Sequence, residues 1–235
     1  MKRYSAGKVW EGQADCASCT LRNSVLFAGL EKKDFEQIHQ PIDIYSLLPG
    51  SVLYRAGDQG DRMFTIRSGI LKLIQYIPDG TQRIVRILRA NDMAGLEALL
   101  GEPYQHDAVV LQATESCSLP VNLIQTLSQN NAVIYQELLN RWEQALKEAD
   151  TWLTELSTGS ARQRVARLLL HLARSNTNTF LTLFSCEDMG SMLGITTETV
   201  SRNMAEFKRK KLLIEAGSNQ FSLDIVKLEN LAEED

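Results

Sequence analysis

A long stretch without glycine or proline divides this chain into two parts of different character. It runs from Val121 to Leu156, and from Tyr135 onwards its apolar residues step by alternate fours and threes. This 3.5-residue repeat is typical of a helix that pairs along a narrow apolar seam. Charged residues surround the seam, which favours a second copy of the chain as the partner over packing on its own domain. The predicted seam residues are Leu139, Trp142, Leu146, Ala149, Leu153 and Leu156.

The part before this helix consists of short β-rich runs separated by glycine. Met63–Ile66, Ile70–Tyr76 and Arg83–Leu88 are apolar or alternating, and Pro78-Asp79-Gly80 is a hairpin signal between the last two runs. Gly69 is one of the glycines between the runs, at positions where a turn requires positive φ. The pattern predicts an antiparallel roll or barrel.

The part after the long helix is typical of a winged helix-turn-helix. Thr158-Gly159-Ser160 ends the long helix, and Ala161–Arg174 is predicted to form the next one. A short helix over about Glu187–Leu193, capped by Ser185, stops at a glycine, and another helix begins at Thr196 or Thr197. The segment LLIEAGSNQFSL that follows has the pattern of a two-stranded wing.

The last of these helices separates an apolar face from a polar N-terminal end. Val200, Met204 and Phe207 fall on one face at spacings of four and three. In a helix-turn-helix the N-terminal residues of the second helix meet base edges, where arginine donates to guanine and a carboxylate accepts from cytosine. An ordinary i,i+4 ion pair between Glu198 and Arg202 is the plainer alternative for those two residues. The predicted DNA-binding residues are Thr197, Glu198, Ser201, Arg202, Lys208 and Lys210.

Composition and motifs argue against several classes of protein. The net charge of -4 gives no global sign of nucleic-acid binding, so only the local basic cluster after the last helix supports it. No apolar run is long enough for a membrane span, and the basic N-terminus lacks the apolar segment of a secretory signal. We therefore expect a cytoplasmic protein without a membrane partner. No nucleophile elbow, phosphate loop or metalloprotease helix is present, which argues against an enzyme.

A glycine-punctuated roll, a long helix and a C-terminal winged helix-turn-helix, in that order, resemble the cAMP receptor protein and fumarate-nitrate reduction regulator (CRP/FNR) family. The resemblance covers the chain from about Leu26 to Leu228. It implies an α+β fold with a cyclic-nucleotide-binding-like β-roll, a long dimerisation helix and a winged helix-turn-helix. The domains are then a cysteine-containing segment at 1–25, the β-roll at 26–120, the dimerisation helix at 121–157 and the DNA-binding domain at 158–235.

The same resemblance implies which DNA is bound. Glu198, Ser201 and Arg202 match the pattern of the FNR branch, and Thr197 stands where the cAMP branch has an arginine. We therefore predict a homodimeric transcription regulator, of the activator type, on a palindrome of TTGAT-type half-sites. The loop Pro78–Thr81 corresponds to a region that touches RNA polymerase in relatives.

The roll departs from the cAMP branch at the phosphate clamp. Gly95 is kept, but Leu96 follows it, and Gln105-His106-Asp107 replaces the clamp. A carboxylate there would repel a phosphate, so cAMP is not expected. A different anionic effector, bound by a residue such as Arg62 or Arg67, stays open.

The cysteines are similar to those of FNR with one gap. FNR looks like a cluster-binding sensor with three cysteines near its N-terminus and one on the roll. Cys16, Cys19 and Cys117 match three of these, while Val25 occupies the position of the third N-terminal cysteine. The resemblance implies redox or gas sensing through these residues.

Three interpretations of the cysteines remain, and one further alternative concerns the whole protein. They hold an iron-sulfur cluster with a non-cysteine ligand such as Asp15, or they form a thiol-disulfide or zinc-type switch. Alternatively they are without function, and the roll binds a small molecule or a haem-bound gas, for which His39 and His106 are weak candidates. The last alternative is a constitutive DNA-binding dimer. Cys186 lies beside a helix cap and is predicted to serve packing.

Overall fold

The computed structural model describes residues 8–15, 19, 26–27, 41–174, 180–217 and 220–233. The chain divides into two compact units, Met1–Lys147 and Glu148–Asp235, so the division falls inside the long helix. Among the described residues, no helix is long and apolar enough to cross a membrane. Cys16, Val25 and His39 lie outside the described residues.

The first unit is built on a seven-stranded antiparallel sheet. Its strand order is β1-β2-β7-β4-β5, with β3 paired to β7 and β6 paired to β4. The sheet folds over an apolar core that includes the stacked rings of Tyr54 and Tyr104, whose centroids are 4.0 Å apart. This is the predicted β-roll. The strands are β1 Lys8–Gln13, β2 Asp43–Leu47, β3 Val52–Tyr54, β4 Arg62–Tyr76, β5 Gln82–Leu88, β6 Met93–Ala94 and β7 Asp107–Pro120.

The central strand β4 differs from the prediction. The runs Met63–Ile66 and Ile70–Tyr76 are one strand, and Gly69 lies inside it rather than between two strands. The pairing with β7 shifts register on both sides of Gly69, whose φ is 87°. A side chain at this position would clash with the backbone carbonyl of Ala113. Glycine therefore lets one strand bend through bulges where the sequence suggested two strands and a turn.

The long helical region is divided into three parts. Helix α1 spans Val121–Asn130, the extended residue Asn131 interrupts the path, and α2 spans Ala132–Thr151. A π-helical turn, Trp152–Leu156, then follows. The Asn131 side chain accepts a hydrogen bond from the Val133 backbone N–H, which stabilises the start of a new helix. The sequence did not predict this break, because the region contains no glycine or proline.

The second unit contains the predicted helices and wing. Helix α3 is followed by the short strand β8, the helix pair α4 and α5, and the β9-β10 hairpin, and β10 also pairs with β8. A C-terminal helix, α6, was not predicted. The bounds are α3 Ala161–Arg174, β8 Leu181–Thr182, α4 Cys186–Leu193, α5 Thr197–Arg209, β9 Leu213–Gly217, β10 Gln220–Leu223 and α6 Ile225–Glu233.

Helix caps fix the ends of these elements. The Ser185 hydroxyl accepts from the Asp188 N–H at 3.0 Å, which confirms the predicted cap of α4. The backbone N–H of Ser160 donates to Gln163 Oε1 at 2.7 Å, and the Gln163 N–H donates back to the Ser160 hydroxyl. This reciprocal pair is a capping box that starts α3 directly after the long helical region ends.

Gly190 allows the close turn between α4 and α5. A Cβ at this position would lie 2.7 Å from the carbonyl oxygen of Ile195, and the Gly190 carbonyl accepts from the Ile195 N–H. We expect Gly190→Ala to lower the stability of the second unit by about 1–3 kcal/mol, because the backbone clash exceeds the gain of about 1 kcal/mol in helix propensity. Urea unfolding measures this, with Ser191→Ala on the same helix as control. Equal or higher stability of Gly190→Ala would contradict the close approach.

Candidate DNA-binding surface and thiol pair

Helices α4 and α5 form a helix-turn-helix, and a residue of helix α3 forms a hydrogen bond to its turn. Gly194 ends α4 in the left-handed conformation, and the Thr196 hydroxyl caps α5 by accepting from the Thr199 N–H at 3.2 Å. Arg164 of α3 donates to the carbonyl of Leu193 at 2.9 Å. The turn is thus fixed by backbone conformation, by a cap and by a neighbouring helix, which makes the direction of α5 well defined.

Helix α5 has a buried face and an exposed face, as its sequence predicted. Val200, Met204 and Phe207 are buried in the core of the unit. The predicted base-contacting residues all lie on the exposed side, and each of them is solvent-accessible: Thr197, Glu198, Ser201 and Arg202. The apolar face therefore anchors α5 and leaves its N-terminal half open to a ligand.

Glu198 is kept ionised by the start of the helix. Hydrogen bonds from its own backbone N–H and from the Thr196 hydroxyl hold the pKa of its carboxyl below the usual value, and the Arg202 charge adds to this. The carboxylate is thus oriented mainly by the helix N-terminus.

The two predicted lysines of the basic cluster have partners within the protein. Lys208 Nζ lies 3.2 Å from Glu215 Oε2 and 4.8 Å from the centre of the Phe221 ring, so it joins α5 to the wing. Lys210 Nζ lies 2.7 Å from Glu206 Oε1. Both ammonium groups are still part-exposed, but their charges are partly neutralised. They are therefore weaker candidates for phosphate contacts than the sequence suggested.

The apolar seam of the long helix is exposed in the single chain. Tyr135, Leu139, Trp142 and Leu146 are exposed on α2, and Leu153 follows on the π-helical turn; Leu146 and Leu153 are 63% and 67% exposed. Ala149 is exposed as well. Leu156 is different, since the chain itself buries it to 1% exposure. The predicted seam thus ends at Leu153, because the π-helical turn rotates Leu156 into the core of the second unit.

Two of the three predicted sensor cysteines meet at one arginine. Arg67 Nη1 lies 3.7 Å from Cys19 Sγ and 3.6 Å from Cys117 Sγ, and Arg67 Nε lies 3.5 Å from Glu115 Oε2. The strand register explains the contact with Cys117, because Thr65 of β4 pairs with Cys117 of β7 beside a bulge that contains Arg67. We call Cys19, Arg67 and Cys117 the thiol pair site. Burial raises the pKa of Cys117, and the Arg67 guanidinium opposes that rise.

The described part of the thiol pair site contains two of the three cysteines that were predicted to hold an iron-sulfur cluster. A cluster is usually held by four ligands. Within residues 8–15, 19, 26–27 and 41 onwards that the structure describes, no three or more His, Cys, Asp or Glu residues are grouped as metal ligands would be. The third predicted ligand, Cys16, lies outside that part of the chain. The Arg67 guanidinium lies within 3.7 Å of both described sulfurs.

The arginines suggested for an anionic effector are paired with carboxylates. Arg62 Nη1 lies 3.3 Å from Asp43 Oδ2, and Arg67 is next to Glu115. At the former phosphate clamp, Asp107 Oδ1 accepts from the Ala56 N–H at 2.8 Å, and Glu97 Oε1 accepts from the Gln105 N–H. Arg55 Nη1 lies 3.8 Å from Asp107 Oδ2, so both signs of charge are present at this end of the roll, and the absence of cAMP stays a prediction. His106 is half-buried, and burial lowers its pKa.

A β-roll, a long helix and a winged helix-turn-helix with an open α5 define a DNA-binding transcription regulator. Comparison with known proteins agrees. The family model of the cyclic nucleotide-binding domain matches residues 45–131, and that of the Crp-like helix-turn-helix domain matches residues 163–234. Together these models match more than half of the chain. The chain belongs to the CRP/FNR family, which comprises transcription regulators and not enzymes.

Several relatives are similar over almost the whole chain. The transcriptional activator protein anr of Pseudomonas aeruginosa is 26% identical over 94% of this chain and 93% of its own. The fumarate and nitrate reduction regulatory protein of Vibrio cholerae is 25% identical over 92% of this chain and 90% of its own. The structure of FixK2 from Bradyrhizobium japonicum has a TM-score of 0.75 at 22% identity, covering 83% and 98%, which shows the shared fold.

Proposed function

We propose that this regulator acts as a homodimer on a palindromic operator. The observation that supports the dimer is the exposed seam of α2, whose apolar residues repeat every 3.5 positions as a second copy of the same helix requires. A two-fold dimer presents two α5 helices, which suits half-sites about one DNA turn apart. The half-sites are of the TTGAT type that the resemblance to the FNR branch implies, and the three matching residues, Glu198, Ser201 and Arg202, lie at the exposed end of α5.

The β4-β5 hairpin is the proposed contact with RNA polymerase in the cytoplasm. Its tip is tightly organised, because the Gly80 N–H donates to Ile77 O at 2.9 Å and the Thr81 N–H donates to Asp79 Oδ1 at 2.8 Å. Hydrogen bonds from the backbone and the side chain of Thr81 lower the pKa of Asp79, so the exposed tip carries a negative charge. A rigid, charged tip is suited to recognising one surface of a larger partner.

The signal we propose is redox, received by Cys19 and Cys117. The supporting observation is that one guanidinium nitrogen lies within 3.7 Å of both sulfurs, so the two thiols are neighbours although they are far apart in sequence. A nearby cation favours the thiolate, which is the reactive form. The described residues offer two thiols and an arginine, which suits a dithiol better than a cluster.

The chemistry of such a switch balances with a peroxide as oxidant. The Cys19 sulfur attacks one peroxide oxygen, the O–O bond breaks, and a sulfenic acid and one water form. The Cys117 thiol then attacks the oxidised sulfur, which gives a disulfide and a second water. Cys19 is proposed as the attacking residue because burial raises the pKa of Cys117 and so disfavours the Cys117 thiolate.

Thiol titration tests this proposal. Treatment of the reduced protein with hydrogen peroxide should remove two of the four thiols of the chain and change operator affinity. Cys19→Ser and Cys117→Ser should each abolish the disulfide and hold operator affinity at the reduced level. Cys186→Ser is the matched control, because Cys186 is also a free, part-exposed thiol but lies in the DNA-binding unit.

Two results would contradict the dithiol switch. One is operator affinity that stays the same under peroxide, reductant and air, which would indicate a constitutive dimer or a ligand of the roll. The other is an anaerobically purified protein with iron and sulfide in stoichiometric amounts and a visible absorption that bleaches in air. That spectrum would restore the cluster on Cys16, Cys19 and Cys117.

A further inference from the structure

We propose that the turn at Asn91 and Asp92 transmits the state of the thiol pair site to the long helix, with Arg141 as its positioning residue. This inference rests on the proposed redox function and names the route by which it acts. The route is a chain of hydrogen bonds inside the first unit, from Arg67 through Ile66 and the turn to Arg141.

The first step lies in strand β4. The pairing of β4 with β7 shifts register between Ile66 and Ser68, so Arg67 is the extra residue of a bulge. The backbone of a bulged residue is not fixed by the regular ladder and is freer to move than its neighbours. The side chain of Arg67 is held by the two sulfurs and by Glu115. The position of this bulge therefore depends on whether the two sulfurs accept hydrogen bonds from Arg67.

The second step joins the bulge to a strained turn. Ile66 precedes Arg67, and its N–H donates to Asp92 O at 2.9 Å while its carbonyl accepts from the Asn91 N–H at 2.8 Å. Asn91 has φ 76°, a left-handed conformation that is uncommon outside glycine. Asp92 Oδ2 in turn accepts from the Arg89 N–H at 2.7 Å. Both backbone groups of Ile66 are thus bound to a turn that has one defined shape.

The third step joins the turn to helix α2. Arg141 Nη1 donates to the carbonyl of Asn91 at 2.9 Å, and its Nε donates to Glu137 Oε1 at 2.8 Å. The Arg141 side chain is only 13% exposed, and Glu137, one turn earlier, holds the guanidinium in place. Trp142, the next residue, belongs to the exposed seam. The turn is therefore linked to the helix at the point where the dimer contact is proposed.

A change at the sulfurs has a direct consequence along this route. A bond between Cys19 and Cys117 brings the sulfurs to about 2 Å and expels the Arg67 nitrogen that donates to both. The bulge then shifts, and Ile66, the turn and Arg141 shift with it. The angle of the seam on α2 changes, and so does the spacing of the two α5 helices in a dimer. Coupling between sites of this kind typically amounts to roughly 5- to 150-fold in affinity.

The test compares how strongly oxidation changes operator affinity. For each variant we would measure operator affinity by fluorescence anisotropy in the reduced and peroxide-treated protein, and quantify the Cys19–Cys117 disulfide by mass spectrometry. In the wild-type protein, the ratio of the operator affinities of the reduced and peroxide-treated forms should be at least about fivefold. Arg141→Gln should bring it close to one while the disulfide still forms to the same extent. Lys147→Gln is the control, because Lys147 also makes an i,i+4 ion pair on α2, with Glu143, but that pair is exposed.

Glu137→Gln provides a milder second variant in case Arg141→Gln does not fold. It keeps the Arg141 hydrogen bond to Asn91 but removes the charge that orients the guanidinium, so an intermediate ratio is expected. A wild-type ratio retained by both variants would overturn the route and leave the redox function intact. A wild-type ratio of one would overturn the redox function and the route together.

Discussion

Leu146→Asp should convert the protein to a monomer at micromolar concentration. Leu146 lies in the middle of the exposed seam and is 63% exposed in the single chain, so the aspartate is tolerated by the isolated fold. In a dimer the carboxylate would be buried against the apolar seam of the second copy. An unpaired charge in such a place costs at least about 3 kcal/mol, which raises the dissociation constant of the dimer more than roughly a hundredfold.

Operator binding should reveal the same loss. Two DNA-binding units in one dimer gain roughly 10²- to 10⁴-fold in affinity on a full palindrome over a single unit, because the second contact becomes intramolecular. Leu146→Asp should lose that gain on the full operator and keep wild-type affinity for a half-site. Sedimentation velocity and anisotropy on both DNAs measure this.

Gln144→Asp is the matched control for the seam. It adds the same charge to the same helix, on an exposed position away from the seam residues. It should leave both the dimer and operator affinity unchanged. A Leu146→Asp protein that sediments as the wild-type dimer would show that the seam is covered by something other than a second copy.

The elements that the sequence predicted correctly are those fixed by neighbours along the chain. The periodicity of Val200, Met204 and Phe207 identifies the buried face of α5, because helix faces repeat every three to four residues. The cap at Ser185 is equally local. Leu156 fits the same periodicity as the seam, yet it is buried, because a π-helical turn changes the number of residues per turn there.

The elements that the sequence could not predict depend on contacts between distant residues. Arg67 meets Cys117 because the bulged register of β4 and β7 brings them together, and no local pattern marks that register. Lys208 stays a predicted DNA contact, but its position beside Glu215 and Phe221 of the wing could not be predicted from the sequence. Charge patterns along a helix reveal which residues are exposed, whereas their partners come from the fold.

Arg202→Ala should weaken binding to a TTGAT-type half-site by about 1–3 kcal/mol, or roughly 5- to 150-fold. The side chain extends from the exposed N-terminal half of α5, one turn after Glu198. A TTGAT half-site contains one G·C pair. Arginine donates to guanine and an ionised carboxylate accepts from cytosine, so Arg202 and Glu198 are suited to the two bases of that single pair.

The sharpest form of this prediction uses altered DNA. Replacing the G·C pair by A·T should cost the wild-type protein at least as much as Arg202→Ala does. It should cost the Arg202→Ala variant less than it costs the wild-type protein, because only the Glu198 contact is left to lose. Lys210→Ala is the comparison, because Lys210 is already paired with Glu206. This substitution is expected to lower the affinity for every DNA slightly and equally. If Arg202→Ala also weakened both DNAs equally, Arg202 would be a backbone contact, and the specificity would have to come from another residue of the exposed face.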